Sequence, residues 1–137
     1  MSPTYLSSGL RRQVFERASG RCEYCLLSFV DSFFSHEADH IIAEKHGGAT
    51  TIENLALACF DCNRFKGSDI ASLDSETGAL VALFNPRTQE WNENFLLRDG
   101  VIVALTPCAS ATVRLLKMNL PERVEVRDAL IKRGRYP

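Results

Sequence analysis

LACFDCNRFKG, residues 57–67, is the stretch whose reading decides the fold. It holds a Cys-x-x-Cys pair, Cys59 and Cys62, followed at once by Asn63, Arg64 and, one residue on, Lys66-Gly67. Such a pair reads three ways: a redox dithiol, half of a zinc site, or part of a centre that does chemistry. The rest of the chain decides among them. A second pair, Cys22 and Cys25, lies upstream, separated from the first by residues 26–58. Redox work needs only one pair, and the other would have no purpose. Two such pairs in a reducing compartment instead make a tetrahedral zinc site with four thiolate ligands, Cys22, Cys25, Cys59 and Cys62. The fifth cysteine, Cys108, has no partner and reads as a small buried hydrophobe.

Composition sets the frame around that site. The 137 residues suit one compact unit with a small appendage, and 45% hydrophobic with 24% charged residues is ordinary globular usage. No apolar run approaches the roughly 20 residues of a membrane span. The opening MSPTYLSSGLRRQVFERASG has no apolar core after a basic start, so no secretory signal and no membrane partner are expected, and a cytoplasmic location is. A net charge of −1 does not advertise nucleic-acid binding by the chain as a whole. Residues 1–70 carry seven Lys/Arg against nine Asp/Glu, whereas residues 114–135 carry seven against three. Any nucleic-acid contact would therefore come from a local patch such as the basic tail, with Arg127, Lys132 and Arg133 as candidates, against a solvated helix face as the alternative.

A coarse reading places these residues on elements. Residues 8–18 show helical spacing of Leu10, Val14, Phe15 and Ala18, with Ser8 as a cap and Gly20 as a stop. Residues 26–35 are apolar and irregular, and Phe29, Phe33 and Phe34 are expected to cover the zinc region. Residues 37–43 and 55–59 read as strands joined by a loop turning at Gly47-Gly48. A helix follows from about Asp61 to Gly67. Further on, residues 76–86 hold a turn and a strand ended by Pro86. Asp99-Gly100 between two apolar runs predicts a type I′ hairpin over 94–105. Helices are expected over 110–119 and 121–134, the second capped by Asn119. The plausible boundary falls at 68–75, giving a core over 1–70 and an extension over 71–137 packed on it.

Taken in order, the chain reads Cys22-x2-Cys25, Asp39-His40, Gly47-Gly48, Asn54-Leu55, Cys59-x2-Cys62-Asn63, Lys66-Gly67. Over residues 21–69 this resembles the HNH endonucleases, in the zinc-containing branch similar to modification-dependent restriction nucleases. One departure is Ala43, where such proteins often carry proline. The resemblance implies an α+β fold: a ββα-metal (His-Me finger) core stapled by the four-cysteine zinc, here followed by a β-hairpin and two helices. It implies that His40 is the general base activating water, and that Asp39 and Asn63 hold one divalent cation. Their oxygen ligands suit Mg²⁺ better than a soft metal. It makes Asn54 a loop staple orienting His40. It also implies that the zinc is structural, that the substrate is DNA, and that a dimer or two events are needed to cut both strands. His46, Arg64 and Lys66 are candidate phosphate contacts, with an exposed loop histidine and a solvated helix face as alternatives. The competing function is a catalytically silent, zinc-stabilised nucleic-acid-binding module.

Overall fold

The computed structural model describes residues 6–137. Helix α1 (Ser8–Arg17) starts where the spacing places it, but its cap is Ser7 and not Ser8: the Ser7 hydroxyl accepts from the Leu10 N–H. Strands β1 (Glu37–His40) and β2 (Leu55–Ala58) pair antiparallel, with Glu37 opposite Ala58 and His40 opposite Leu55. Both strands are shorter than the sequence suggests. Pairing stops at His40, and the loop beyond is tied back by Ile41 N–H donating to Asn54 O at 2.9 Å.

Every residue of β2 is buried, because both its faces are covered. Leu55 and Leu57 pack with Val14 of α1, whereas Ala56 and Ala58 face the main core with the four cysteines and Tyr24. That two-sided burial is why the segment reads as an unbroken apolar run. Helix α2 (Phe60–Lys66) follows directly and packs on β1 and β2. Its N-cap is Cys59, whose Sγ accepts from the Cys62 N–H at 3.4 Å.

The loop between β1 and β2 depends on one glycine. A Cβ on Gly48 would stand 1.7 Å from the Ile42 carbonyl oxygen and 2.9 Å from Asn54 Nδ2. Backbone cannot yield as a flexible side chain can. Gly48→Ala is expected to lower stability by about 2 kcal/mol or more, read as a drop in denaturation midpoint; a wild-type midpoint would refute it.

The remaining elements are β3 (Ala71–Leu73) paired with β4 (Leu80–Ala82), α3 (Trp91–Asn94), β5 (Phe95–Arg98) paired with β6 (Val101–Ala104), α4 (Pro107–Leu115) and α5 (Pro121–Lys132). All three sheets are two-stranded and antiparallel, so the fold is mixed helix and small sheets. Asp99 and Gly100 both have positive φ, 53° and 84°, as a type I′ turn requires. Helix α4 begins three residues before the expected start. Thr106 supplies a cap by accepting from Ala109 N–H, and Pro107 fits the first turn. Asn119 does not cap α5. Its amide instead pairs with both backbone groups of Ile102, at 2.9 and 2.8 Å, locking β6 to the α4–α5 connection. The main core joins Tyr24 and the cysteines to Phe84, Phe95, Ile102, Leu116 and Met118. No described helix is long and apolar enough to cross a membrane.

Candidate metal centre and catalytic cluster

The four sulfurs of Cys22, Cys25, Cys59 and Cys62 lie within 4.8 Å of one another, all buried. Cys25 and Cys59 Sγ are 3.6 Å apart, far beyond a disulfide bond and near the edge length of a zinc–thiolate tetrahedron. In each pair the first sulfur accepts from the backbone N–H three residues on, at 3.4 Å. Burial pushes the Cys22 and Cys62 thiols well up, whereas hydrogen bonding from Cys22, Cys59 and Cys62 pulls Cys25 well down. A dry cluster of this kind cannot hold four negative charges without a cation among the sulfurs. The donor set and its spacing fit zinc.

Several residues outside the motif complete this centre, and Arg123 of α5 is the foremost. Its guanidinium is buried, donates to Cys62 Sγ at 3.1 Å and lies 3.9 Å from Cys59 Sγ. Two further bonds, to the carbonyls of Leu116 and Lys117 at 2.7 and 3.0 Å, hold it there. A tetrathiolate zinc carries two net negative charges, and Arg123 supplies one buried positive charge against them. Tyr136 donates to the Cys25 carbonyl, and Trp91 Nε1 donates to the Tyr24 carbonyl at 2.8 Å. Glu23, inside the first pair, accepts from Leu57 N–H at 2.8 Å and pairs with Arg87. Cys108 stays outside the cluster, half-buried, its thiol directed at Gln89.

Next to the zinc pairs sits a second polar group. Asp39 is buried, and its Oδ2 accepts from Lys66 Nζ at 3.0 Å and from the Tyr24 hydroxyl at 3.3 Å. Tyr24 thus bridges the first cysteine pair to the carboxylate. Burial raises the Asp39 carboxyl above its ordinary range; attraction to Lys66 opposes this but does not overcome it. Lys66 Nζ also donates to the His40 carbonyl at 2.9 Å. The lysine is only 2% exposed, so it is not the surface phosphate contact expected of it. Lys66→Met would leave the carboxylate buried without its counter-charge. We expect a loss of about 3–5 kcal/mol in a urea titration; a change below about 1 kcal/mol, the scale of a surface pair, would show the pair to be dispensable.

His40 is the last residue of β1, and it and its neighbour Asp39 meet different partners. Asp39 meets α2, whereas the His40 ring meets the loop: Nε2 lies 2.9 Å from Thr50 Oγ1 and 3.6 Å from Glu44 Oε1. Asn54 closes that loop. Its Oδ1 accepts from Ile42 N–H at 3.0 Å, and its Nδ2 donates to the carbonyls of Ile42 and Ala49 at 2.9 and 2.8 Å. Asn63 is half-buried on α2, and its side chain makes no hydrogen bond among the described residues.

The other candidate contacts divide. His46 Nε2 lies 3.1 Å from the Ser68 carbonyl, tying the loop to the segment after α2. Arg64 is exposed and pairs with Asp61 at 3.0 Å. Lys132 is exposed and pairs with Asp128, and Arg133 is exposed. Arg127 is not a surface residue. It is buried, donating to the carbonyls of Gly100 and Met118 and to Asn119 Oδ1, so it closes the core and is not part of a DNA grip. Of the three phenylalanines expected over the zinc, Phe29 packs on Phe15 and Phe34 on Phe60, whereas Phe33 is 95% exposed and covers nothing.

No curated protein and no solved structure gives a significant match to the chain. A family model does: residues 22–69 match the model described as HNH endonuclease, and this segment holds the four cysteines placed to bind a metal ion.

Proposed function

We propose that the chain is a divalent-cation-dependent DNA endonuclease built on a ββα-metal core, with zinc as its structural staple. The observation that carries this reading is His40, a partly exposed imidazole inside the HNH segment, next in sequence to a buried carboxylate and held by a stapled loop. The hydrogen-bond chain gives the ring a direction. Nε2–H donates to Thr50 Oγ1, whose own proton points to Glu44 Oε1 at 3.5 Å. That leaves Nδ1 to take a proton from water attacking a phosphodiester. Asn54 acts at a distance, fixing the loop that carries Thr50 and Glu44.

Asp39 and Asn63 are the proposed ligands of the cation. Lys66 and Tyr24 both use Oδ2, so Oδ1 has no protein partner among the described residues, and the Asn63 amide is likewise free. Two hard oxygen donors suit Mg²⁺. When bound, such a cation polarises the phosphate and stabilises charge on the leaving 3′ oxygen. Loss of that oxygen as leaving group gives 5′-phosphate and 3′-hydroxyl ends. The test is nicking of supercoiled plasmid by zinc-loaded protein with Mg²⁺, Mn²⁺ or Ni²⁺, and with no further divalent cation added. Cation-dependent nicking supports the reading; intact plasmid with all three cations would favour a silent zinc-stabilised binding module.

A further inference from the structure

The outer face of α2 carries a row of rings and cations that the proposed cleavage chemistry does not use. Phe33 meets Phe34 edge to face at 5.0 Å, and Phe34 lies over Phe60 at 4.4 Å with an interplanar angle of 33°. Arg64 continues the row, its guanidinium 5.3 Å from the Phe60 ring and 4.2 Å from the Phe65 ring. Lys117, on the connection between α4 and α5, closes it, with Nζ 4.9 Å from the Phe65 ring. Phe33, Phe34, Phe60, Arg64 and Lys117 are all exposed. Phe33, Phe34 and Phe60 also line a cavity of about 400 Å³, together with Val126 of α5. A row of exposed aromatic rings is unusual unless something stacks on it.

We propose that this row binds an unpaired stretch of DNA, its bases stacked on Phe33, Phe34 and Phe60 and its phosphates met by Arg64 and Lys117. Rings interleaved with cations suit a strand that offers a flat apolar face and a charge at every nucleotide. Of the acidic groups lining that cavity, Asp61 pairs with Arg64 and Asp31 with Arg135, while Glu122 of α5 is exposed. The row also adjoins the proposed centre. Phe60 and Asn63 are three residues apart on one helix, hence neighbours on its surface. A strand on the row therefore passes beside the proposed cation ligand. This deepens the nuclease reading and rests on it: the substrate is DNA splayed or single-stranded at the cut.

Fluorescence anisotropy of a labelled oligonucleotide, on zinc-loaded protein with no further divalent cation added, tests the proposal, comparing the single strand with its duplex, and wild type with Phe33→Ala, Phe60→Ala and Phe33→Trp. Wild type should favour the single strand by about tenfold or more. Phe33→Ala and Phe60→Ala should each weaken single-strand binding by about 5- to 100-fold, with zinc content and duplex binding unchanged. Phe33→Trp should restore it, and a 2-aminopurine in the strand should report stacking in wild type and not in Phe33→Ala. Phe33 has little packing to lose, so its variant keeps the fold. Equal binding of strand and duplex, or an unaltered Phe33→Ala, would overturn the proposal while plasmid nicking left the nuclease reading standing. A wild-type dimer that Phe33→Ala converts to monomer would overturn it in favour of a protein interface. Absence of any DNA binding would sink both.

Discussion

His40→Ala is expected to cut plasmid nicking by about 10²–10⁴-fold while leaving zinc content and thermal unfolding as in wild type. The imidazole is positioned by Thr50 and Glu44 and supports no part of the hydrophobic core. Its backbone does the structural work, through pairing with Leu55 and through the carbonyl that Lys66 holds. A truncated side chain removes the proposed base and leaves the strand intact. Thr50→Val gives a graded companion, because it deletes the hydroxyl that sets the ring and keeps the ring itself. Its loss should be smaller, since the Nε2 partner helps choose which nitrogen takes the proton while the ring itself remains. Wild-type nicking by His40→Ala would remove His40 from the mechanism. Zinc loss in that variant would mean that the two centres are one structural unit.

The sequence was most legible where spacing alone constrains geometry. Two Cys-x-x-Cys pairs can close a tetrahedron from any fold that brings them together, and they are together. Asp99-Gly100 needs only its own φ angles to turn a hairpin. Asn54 was marked as a staple by the family resemblance alone; the residues it bridges, Ile42 and Ala49, lie in the same short loop. Legibility failed where a side chain's partner is remote. Arg123 and Arg127 both looked like the charged face of a helix. Arg123 meets a sulfur 61 positions away, and Arg127 reaches carbonyls of the β5–β6 turn and the α4–α5 connection. Guanidinium groups are buried where several acceptors converge, and convergence is a property of tertiary packing. Lys66 misled in the same way: its periodicity matched a helix surface, but the pocket beneath it contains Asp39. Tyr24 sat in plain view between Cys22 and Cys25, yet nothing local signals that its hydroxyl touches a strand fifteen residues on.

Cys59→Ser is expected to abolish stoichiometric zinc and the cooperative unfolding transition together. Three roles meet in this one sulfur. It belongs to the four-sulfur cluster, it accepts from Cys62 N–H as the N-cap of α2, and it lies beside the Arg123 guanidinium. A serine oxygen can replace the cap, but it is a poor substitute for a thiolate toward zinc. Structural zinc in small sites contributes about 10–16 kcal/mol of apparent binding free energy, as large as the whole stability of a typical domain at about 5–15 kcal/mol. The consequence spreads beyond the HNH segment. Without metal charge at the sulfurs, Arg123 loses the partner that keeps it buried, and the fixing of α5 against the core loosens with it. Cys108→Ser, outside the cluster, should retain zinc and the wild-type melting curve, which separates ligand loss from thiol loss in general. Metal analysis and near-ultraviolet circular dichroism on the two variants make the comparison, with chelated wild type expected to match Cys59→Ser. Full zinc and a wild-type transition in Cys59→Ser would mean that three sulfurs and Arg123 hold the centre unaided.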